Sequence, residues 1–199
     1  SQQKRALDAE RCAQQQVSIE RRSVRDCPQA FDSLAPNVAQ ERRGHGRTPD
    51  VAGPITYENM AADTIAFMTA LRIPSAHLVG WSDGALVGLL VAMKRPDLVK
   101  KLVYISQPIN SAGMNPRFHA MAANLSREHL PPMFEAAYAA VSPDGPAHYA
   151  VVVEKMIALW RQDPALALDR LRAVTAPTLV LIGDDDMHSV AHGAQMLEA

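Results

Sequence analysis

Gly80-Trp81-Ser82-Asp83-Gly84 stands between an apolar run typical of a strand (76–79) and one typical of a helix (85–93). A strand, a Gly-x-Ser-x-Gly turn and a helix, in this order, predict a nucleophile elbow. In such a turn a strained backbone exposes the serine hydroxyl at the carboxyl end of the strand. The turn is expected to be too tight for a side chain on either flank, which accounts for glycine at both outer positions. An ordinary glycine-rich turn is the alternative, and the flanking strand and helix favour the elbow.

Length and composition are those of one globular domain. The chain has 199 residues, of which 48% are hydrophobic and 21% charged. Its formal net charge of −1 gives no electrostatic reason to expect nucleic acid or an anionic membrane as a partner. No apolar run approaches the roughly 20 residues that a membrane helix needs, and the polar stretch 1–11 does not fit a secretory signal. Cys12 and Cys27 lack metal-ligand spacing, so they are expected to be free thiols in a reducing cytoplasm, with a disulfide between them as the alternative.

The chain divides into parts with different patterns. Residues 1–37 form an atypical N-terminal segment with a thin apolar face, for which a loosely docked helix or disorder is expected. Residues 38–106 and 173–199 alternate apolar strands with helices, a pattern typical of an α/β fold with a parallel sheet covered on both faces. The strands are predicted at 76–80, 101–106 and 178–182, and the helices at 56–72, 83–94 and 189–197.

Residues 107–172 interrupt this alternation and are rich in proline and methionine. We predict an all-helical insertion here. Two interpretations are open: the insertion is additional core, or it is a lid whose methionine and aromatic side chains line an apolar substrate pocket. One helical stripe in it is formed by Val152, Met156, Leu159 and Trp160.

A possible partner group for Ser82 follows the last predicted strand. Hydrolysis of an acyl bond by serine needs a base that takes the hydroxyl proton and an acid that orients this base. Residues 183–186 have the sequence Gly-Asp-Asp-Asp at the carboxyl end of that strand. Serine first and acid second is the chain order of the α/β-hydrolase arrangement.

From residue 38 to 199 the chain resembles the α/β-hydrolase superfamily. Three segments carry the likeness: 41–48 (ERRGHGRT), 77–85 with its continuation 95–99, and 176–186. The resemblance implies an α/β-hydrolase fold, with a parallel sheet, flanking helices and a helical lid insertion. It also implies a serine hydrolase that acts on an ester, lactone or similar carbonyl compound.

The resemblance assigns roles to three residues. Ser82 is the expected nucleophile, and Asp186 is the expected acid. Asp184 and Asp185 are interpreted as solvated turn residues that cap the next helix. The backbone N–H of Asp83 is the expected oxyanion-hole donor, whose loss typically lowers the rate about 10²–10³-fold.

Other features near the elbow have ordinary explanations. Trp81 is interpreted as core packing, the carboxylate of Asp83 as favourable to the helix N-terminus, and His45 as structural. The sequence shows no metal-ligand spacing and no phosphate-binding glycine loop, so no metal and no cofactor are expected. The expected partner is a small-molecule substrate in the cytoplasm.

Two parts of the family pattern are missing. Residues 1–37 contain no strand ending in His-Gly, which would supply a second oxyanion donor, and the segment after Asp186 is too short for a further strand followed by a catalytic histidine. We therefore expect an incomplete hydrolase sequence that lacks the first strands and the last strand. The alternatives are replacement of the missing histidine by His188, or a non-catalytic relative of the family.

Overall fold

A computed structural model of the chain describes residues 38–199. The expectations for the segment 1–37, including those for Cys12 and Cys27, lie outside the described residues.

Three parallel strands form the sheet in the described part of the chain. They are β1 (Ala76–Trp81), β2 (Val99–Ile105) and β3 (Thr178–Leu181), and β2 lies in the middle. These bounds agree closely with the predicted strands, and the predicted parallel α/β architecture is confirmed. Because parallel strands point the same way, the residues that follow all three strands meet at one edge of the sheet.

Six α-helices lie within residues 38–199, and none of them is both long and apolar enough to cross a membrane. The segment between β2 and β3 is helical, as its composition predicts, whereas a lid function for it stays a prediction. The helices are α1 (Tyr57–Ala70), α2 (Asp83–Lys94), α3 (Pro116–Ala123), α4 (Pro132–Val141), α5 (Tyr149–Trp160) and α6 (Val190–Glu198).

Helix α2 is the most deeply buried element. Every residue from 85 to 92 in it is buried, and each large aliphatic side chain among them stabilises the fold by about 1.5–3 kcal/mol. This helix packs against Leu102 and Tyr104 of β2, which are 1% and 0% exposed. The buried helix therefore holds its first residue, Asp83, and the preceding turn in place.

The opposite face of the sheet is exposed. Val79 and Trp81 of β1 are 72% and 71% exposed, and Leu179 of β3 is 54% exposed. The expectation of a sheet covered on both faces is therefore wrong for residues 38–199, because α2 and α6 both pack against the other face. The interpretation of Trp81 as core packing is wrong for the same reason.

A buried ion pair ties the loop before α1 to α5. The side chain of Asp50 is 5% exposed, and its Oδ2 accepts hydrogen bonds from Lys155 Nζ at 2.6 Å and His148 Nε2 at 2.9 Å. Burial alone raises the pKa of Asp50, but the hydrogen bonds from Lys155 and His148 outweigh it and hold this pKa below its ordinary 3.8. Asp50 is therefore an anion at neutral pH and depends on its cationic partner.

Replacing Lys155 with Met tests this tie. The substitution leaves the Asp50 carboxylate buried without its main counter-charge, so the free energy of unfolding should fall by about 3 kcal/mol. Lys94→Met is the matched control, because Lys94 pairs with Glu58 on the exposed surface and its loss should cost less than about 1 kcal/mol. Urea denaturation measures both variants, and equal small losses would show that the buried pair contributes nothing.

Candidate active site

Ser82 lies in a strained turn between β1 and α2. Its backbone angles are φ 53° and ψ −127°, a conformation that residues with a side chain rarely adopt. The Ser82 N–H donates to the carbonyl of Ile105 at 3.0 Å, and the Ser82 carbonyl accepts from the N–H of Ala85 at 2.8 Å. The strained turn is therefore fixed to the sheet on one side and to α2 on the other.

Gly80 is the glycine that this turn requires. A Cβ atom at Gly80 would lie 2.2 Å from the carbonyl oxygen of Gly84, and backbone atoms cannot move aside as a flexible side chain can. At Gly84 itself a Cβ would meet only the Nη2 atom of Arg42, at 3.3 Å. The expectation that both outer positions exclude a side chain is therefore wrong at Gly84, because the neighbour there is the flexible end of an arginine.

Asp186 lies in the turn after β3 and is held by three donors. Its Oδ1 accepts from Ser106 Oγ and from the N–H of Met187, both at 2.6 Å, and its Oδ2 accepts from the N–H of Gly183 at 3.3 Å. Burial raises the pKa of Asp186, but these hydrogen bonds outweigh it and keep the pKa below 3.8. The carboxylate is ionised and fixed in orientation, as an acid that orients a base needs to be.

The neighbouring aspartates are placed differently. Asp184 and Asp185 are exposed, and Asp185 forms a surface ion pair with Arg117 at 2.6 Å. The interpretation of the two as caps of the next helix is wrong, because Ser189 caps α6 by accepting from the N–H of His192 at 3.2 Å.

The end of β2 connects Ser82 with Asp186. Ile105, the last residue of β2, accepts from the Ser82 N–H. The next residue, Ser106, donates its N–H to the carbonyl of Leu181 at 3.0 Å and its hydroxyl to Asp186. No direct hydrogen bond joins Ser82 to Asp186 within residues 38–199. Ser106 is not predicted from the sequence, where the one local signal for it is a polar residue at the end of a buried strand.

His188 is not placed as a base. Its side chain is 1% exposed, and neither ring nitrogen has a hydrogen-bond partner in the described part of the chain. The ring packs edge-on against Tyr104 and His192 instead. Burial, with His192 nearby, lowers the pKa of His188 to about 4. His188 is thus a neutral core residue that contacts neither the hydroxyl of Ser82 nor the carboxylate of Asp186 by a hydrogen bond.

Three other histidines have structural partners. His45 Nδ1 donates to the carbonyl of Arg43 at 2.9 Å, which agrees with the structural role expected for it. His148 bonds Asp50, and His129 contacts Ser126 within the segment between β2 and β3. Within residues 38–199 no group of three or more His, Cys, Asp or Glu side chains is arranged to hold a metal ion.

The Asp83 side chain is held by donors from two other helices. Tyr57 Oη donates to Asp83 Oδ1 at 2.7 Å, and Trp160 Nε1 donates to Asp83 Oδ2 at 2.9 Å. The backbone N–H of Asp83 lies in the first turn of α2, where N–H groups have no intrahelical partner and the helix dipole favours negative charge. From the sequence, Trp160 is predicted only as part of an apolar stripe, and no role is predicted for Tyr57.

Two cavities lie away from Ser82. One, of about 310 Å³, lies beneath α6 and is lined by Tyr104, Val180 and Met196 among others. The second, of about 270 Å³, lies between α1, α2 and the helical segment, and its lining includes Tyr57 and Leu159. Ser82 lines neither cavity, so a substrate pocket under a lid stays a prediction.

Comparison with known proteins shows the family. A sequence model of the Alpha/beta hydrolase family matches residues 27–199, which is most of the chain. The chain belongs to the α/β-hydrolase family, and the α/β-hydrolase fold expected from its motifs is confirmed. The match to the family model begins at residue 27, whereas the resemblance inferred from the motifs begins at residue 38.

Curated relatives include proteins named as hydrolases. The chain is 30% identical over 180 residues to a protein of Caulobacter segnis named putative carbamate hydrolase RutD, and the match covers 76% of this chain and 64% of that protein. A shorter match of 61 residues is 39% identical to the human serine hydrolase BPHL and covers 30% of this chain and 21% of that protein. The chain thus spans less than two thirds of the length of these curated relatives.

Solved structures share the fold. The enol-lactonase from Burkholderia xenovorans LB400 superimposes with a TM-score of 0.53 at 20% identity, over 79% of this chain and 66% of that one. A putative lipase from Acinetobacter baumannii gives a TM-score of 0.59 at 18% identity, over 79% of this chain and 60% of that one.

The turn geometry predicts a large loss of stability on substitution of one glycine and little change at another. Gly80→Ala forces a Cβ into the backbone of Gly84 and should lower the free energy of unfolding by about 3 kcal/mol. Gly183→Ala is the control, because its Cβ would find the nearest atoms at 3.8 Å and should change stability by less than about 1 kcal/mol. Urea denaturation compares them, and a neutral Gly80→Ala variant would contradict the geometry of the turn.

Ser106→Ala should raise the pKa of Asp186 toward its ordinary value. The hydroxyl of Ser106 stabilises the ionised carboxylate, so its removal makes protonation easier. A pH titration followed by ¹³C NMR of the Asp186 carboxyl measures the change, and Ser75→Ala, in the loop before β1, is the control. An unchanged Asp186 pKa would show that the backbone N–H groups alone set it.

Proposed function

We propose that the chain is a serine hydrolase that acts on an ester, lactone or similar carbonyl substrate through Ser82. In this proposal Asp186 is the acid that orients the base, and the N–H of Asp83 is one oxyanion donor. The observation that carries the proposal is the strained Ser82 at the N-terminus of α2, with the end of β2 connecting it to an ionised Asp186 that accepts three hydrogen bonds.

The geometry supports a two-step acyl transfer. The Ser82 oxygen attacks the carbonyl carbon while a base takes the hydroxyl proton, and the carbonyl oxygen becomes an oxyanion that the Asp83 N–H stabilises. The bond to the leaving group then breaks, and the leaving oxygen or nitrogen takes up a proton. Water releases the acyl group from Ser82 in the second step by the same path.

The names of two relatives support the proposed substrate class. RutD of Caulobacter segnis is named a carbamate hydrolase and the Burkholderia protein an enol-lactonase. Both names describe a carbonyl carbon bonded to a heteroatom, which is the group that a serine nucleophile attacks. We therefore propose small-molecule carbonyl compounds of this kind as substrates. The cytoplasm is the proposed compartment.

A non-catalytic relative of the family is the second candidate. The observation in its favour is that no imidazole is hydrogen-bonded to Ser82 or to the carboxylate of Asp186 within residues 38–199. In this candidate the elbow and its surroundings would bind a ligand without turning it over.

A fluorophosphonate probe separates the two candidates. It forms a covalent bond with an activated serine, so the wild-type chain should be labelled at Ser82 and Ser82→Ala should not. Hydrolysis of p-nitrophenyl acetate should fall about 10³-fold or more in Ser82→Ala, while Ser75→Ala should match the wild type. An unlabelled wild type, beside a serine hydrolase that is labelled under the same conditions, would favour the non-catalytic candidate.

A further inference from the structure

Three helices meet at the carboxylate of Asp83. Tyr57 is the first residue of α1, Asp83 the first of α2 and Trp160 the last of α5. Each oxygen of Asp83 receives one donor, the hydroxyl of Tyr57 at 2.7 Å and the indole N–H of Trp160 at 2.9 Å. We call these three side chains the Asp83 clamp.

The clamp fixes the orientation of the carboxylate. Hydrogen bonds to an ionised acceptor are roughly twice as strong as those between neutral groups, and the indole N–H is a donor that cannot act as an acceptor. Burial and the charge of Asp83 raise the pKa of Tyr57, so the hydroxyl keeps its proton. With one donor on each oxygen, rotation of the carboxylate breaks at least one of the two bonds.

The fixed carboxylate also restrains the backbone at the start of α2. Ser82, the residue before the helix, makes no side-chain capping hydrogen bond, so the usual restraint on the first N–H groups is missing. The carboxylate of Asp83 is only two carbon atoms away from its own backbone nitrogen. Holding the carboxylate from two sides therefore restricts the direction in which the Asp83 N–H points.

The direction of this N–H matters for the proposed chemistry. An oxyanion donor acts only when it points at the position that the oxyanion occupies, and displacements of about 1 Å in an active site can cost about 10²-fold in rate. The clamp also joins the turn to α5, which lies in the helical segment between β2 and β3. The position of that segment is thereby coupled to the alignment of the donor.

We propose that Tyr57 and Trp160 are positioning residues that align the N–H of Asp83 toward the oxyanion. The inference rests on the proposed function, in which this N–H is an oxyanion donor. In this proposal Asp83 links the turn at Ser82 to α1 and to α5.

Saturation kinetics of labelling by the fluorophosphonate probe test the proposal. Tyr57→Phe and Trp160→Phe should each lower the limiting rate of Ser82 labelling about tenfold, less than the loss of a whole donor, and leave the half-saturating probe concentration unchanged. The double variant should lose little more than either single one, because both act through Asp83. Tyr104→Phe is the matched control, since the buried hydroxyl of Tyr104 has no hydrogen-bond partner in residues 38–199.

NMR of the ¹⁵N-labelled chain gives a readout that does not depend on reactivity. The backbone amide resonance of Asp83 should shift in Tyr57→Phe and in Trp160→Phe but not in Tyr104→Phe. Hydrogen exchange of the Trp160 indole N–H should accelerate about tenfold in Asp83→Ala, as expected for loss of one hydrogen bond to a charged group. Asp83→Asn, which retains an acceptor oxygen, should restore part of this protection.

The two readouts separate failure of the positioning role from failure of the proposed function. An unlabelled wild type would contradict the proposed function. The NMR measurements alone would then test whether Tyr57 and Trp160 position the Asp83 N–H. An Asp83 amide that does not shift in either clamp variant would overturn the positioning role. Labelling rates equal to those of the wild type in both variants, in a chain that the probe labels, would overturn it as well.

Discussion

The close contact between the backbones at Gly80 and Gly84 is the constraint on which the turn around Ser82 depends. With a carbonyl oxygen 2.2 Å from where a Cβ would stand, the strand can pass directly into the helix only if residue 80 is glycine. The unusual backbone angles of Ser82 follow from this passage. They persist because burial of α2 and the hydrogen bonds to Ile105 and Ala85 hold both ends of the turn in place.

The central strand also fixes the position of Asp186. β2 accepts the Ser82 N–H through its last residue and supplies, one residue later, the hydroxyl that fixes Asp186. A parallel sheet achieves this with residues far apart in sequence, because the carboxyl ends of its strands lie side by side. Ser106, the residue that follows β2, has a positive φ of 61°, so a second strained residue lies where Ser82 and Asp186 are linked through β2.

Local patterns were sufficient to predict most of the described fold. The strands, helices and elbow follow from apolar periodicity and glycine and proline positions, and the observed bounds differ by only a few residues. Tyr57, Ser106 and the role of Trp160 were missed because their partners lie 26, 80 and 77 residues away, and periodicity carries no information on such contacts. The exposure of one sheet face in residues 38–199 was not predicted, because the apolar pattern of a strand does not show on which face of the sheet each helix packs.

The strain at Ser82 and the ionised state of Asp186 are the features that support the catalytic proposal. A backbone such as that of Ser82 costs of order 1–3 kcal/mol, and residues held in this way cluster at functional sites. His188 shows the contrast, because it is buried, neutral and packed against Tyr104, as a residue of the core is. Ser82 and Asp186 are only partly buried at the end of the sheet where the strands terminate, and there α5 contacts the turn through the hydrogen bond from Trp160 to Asp83.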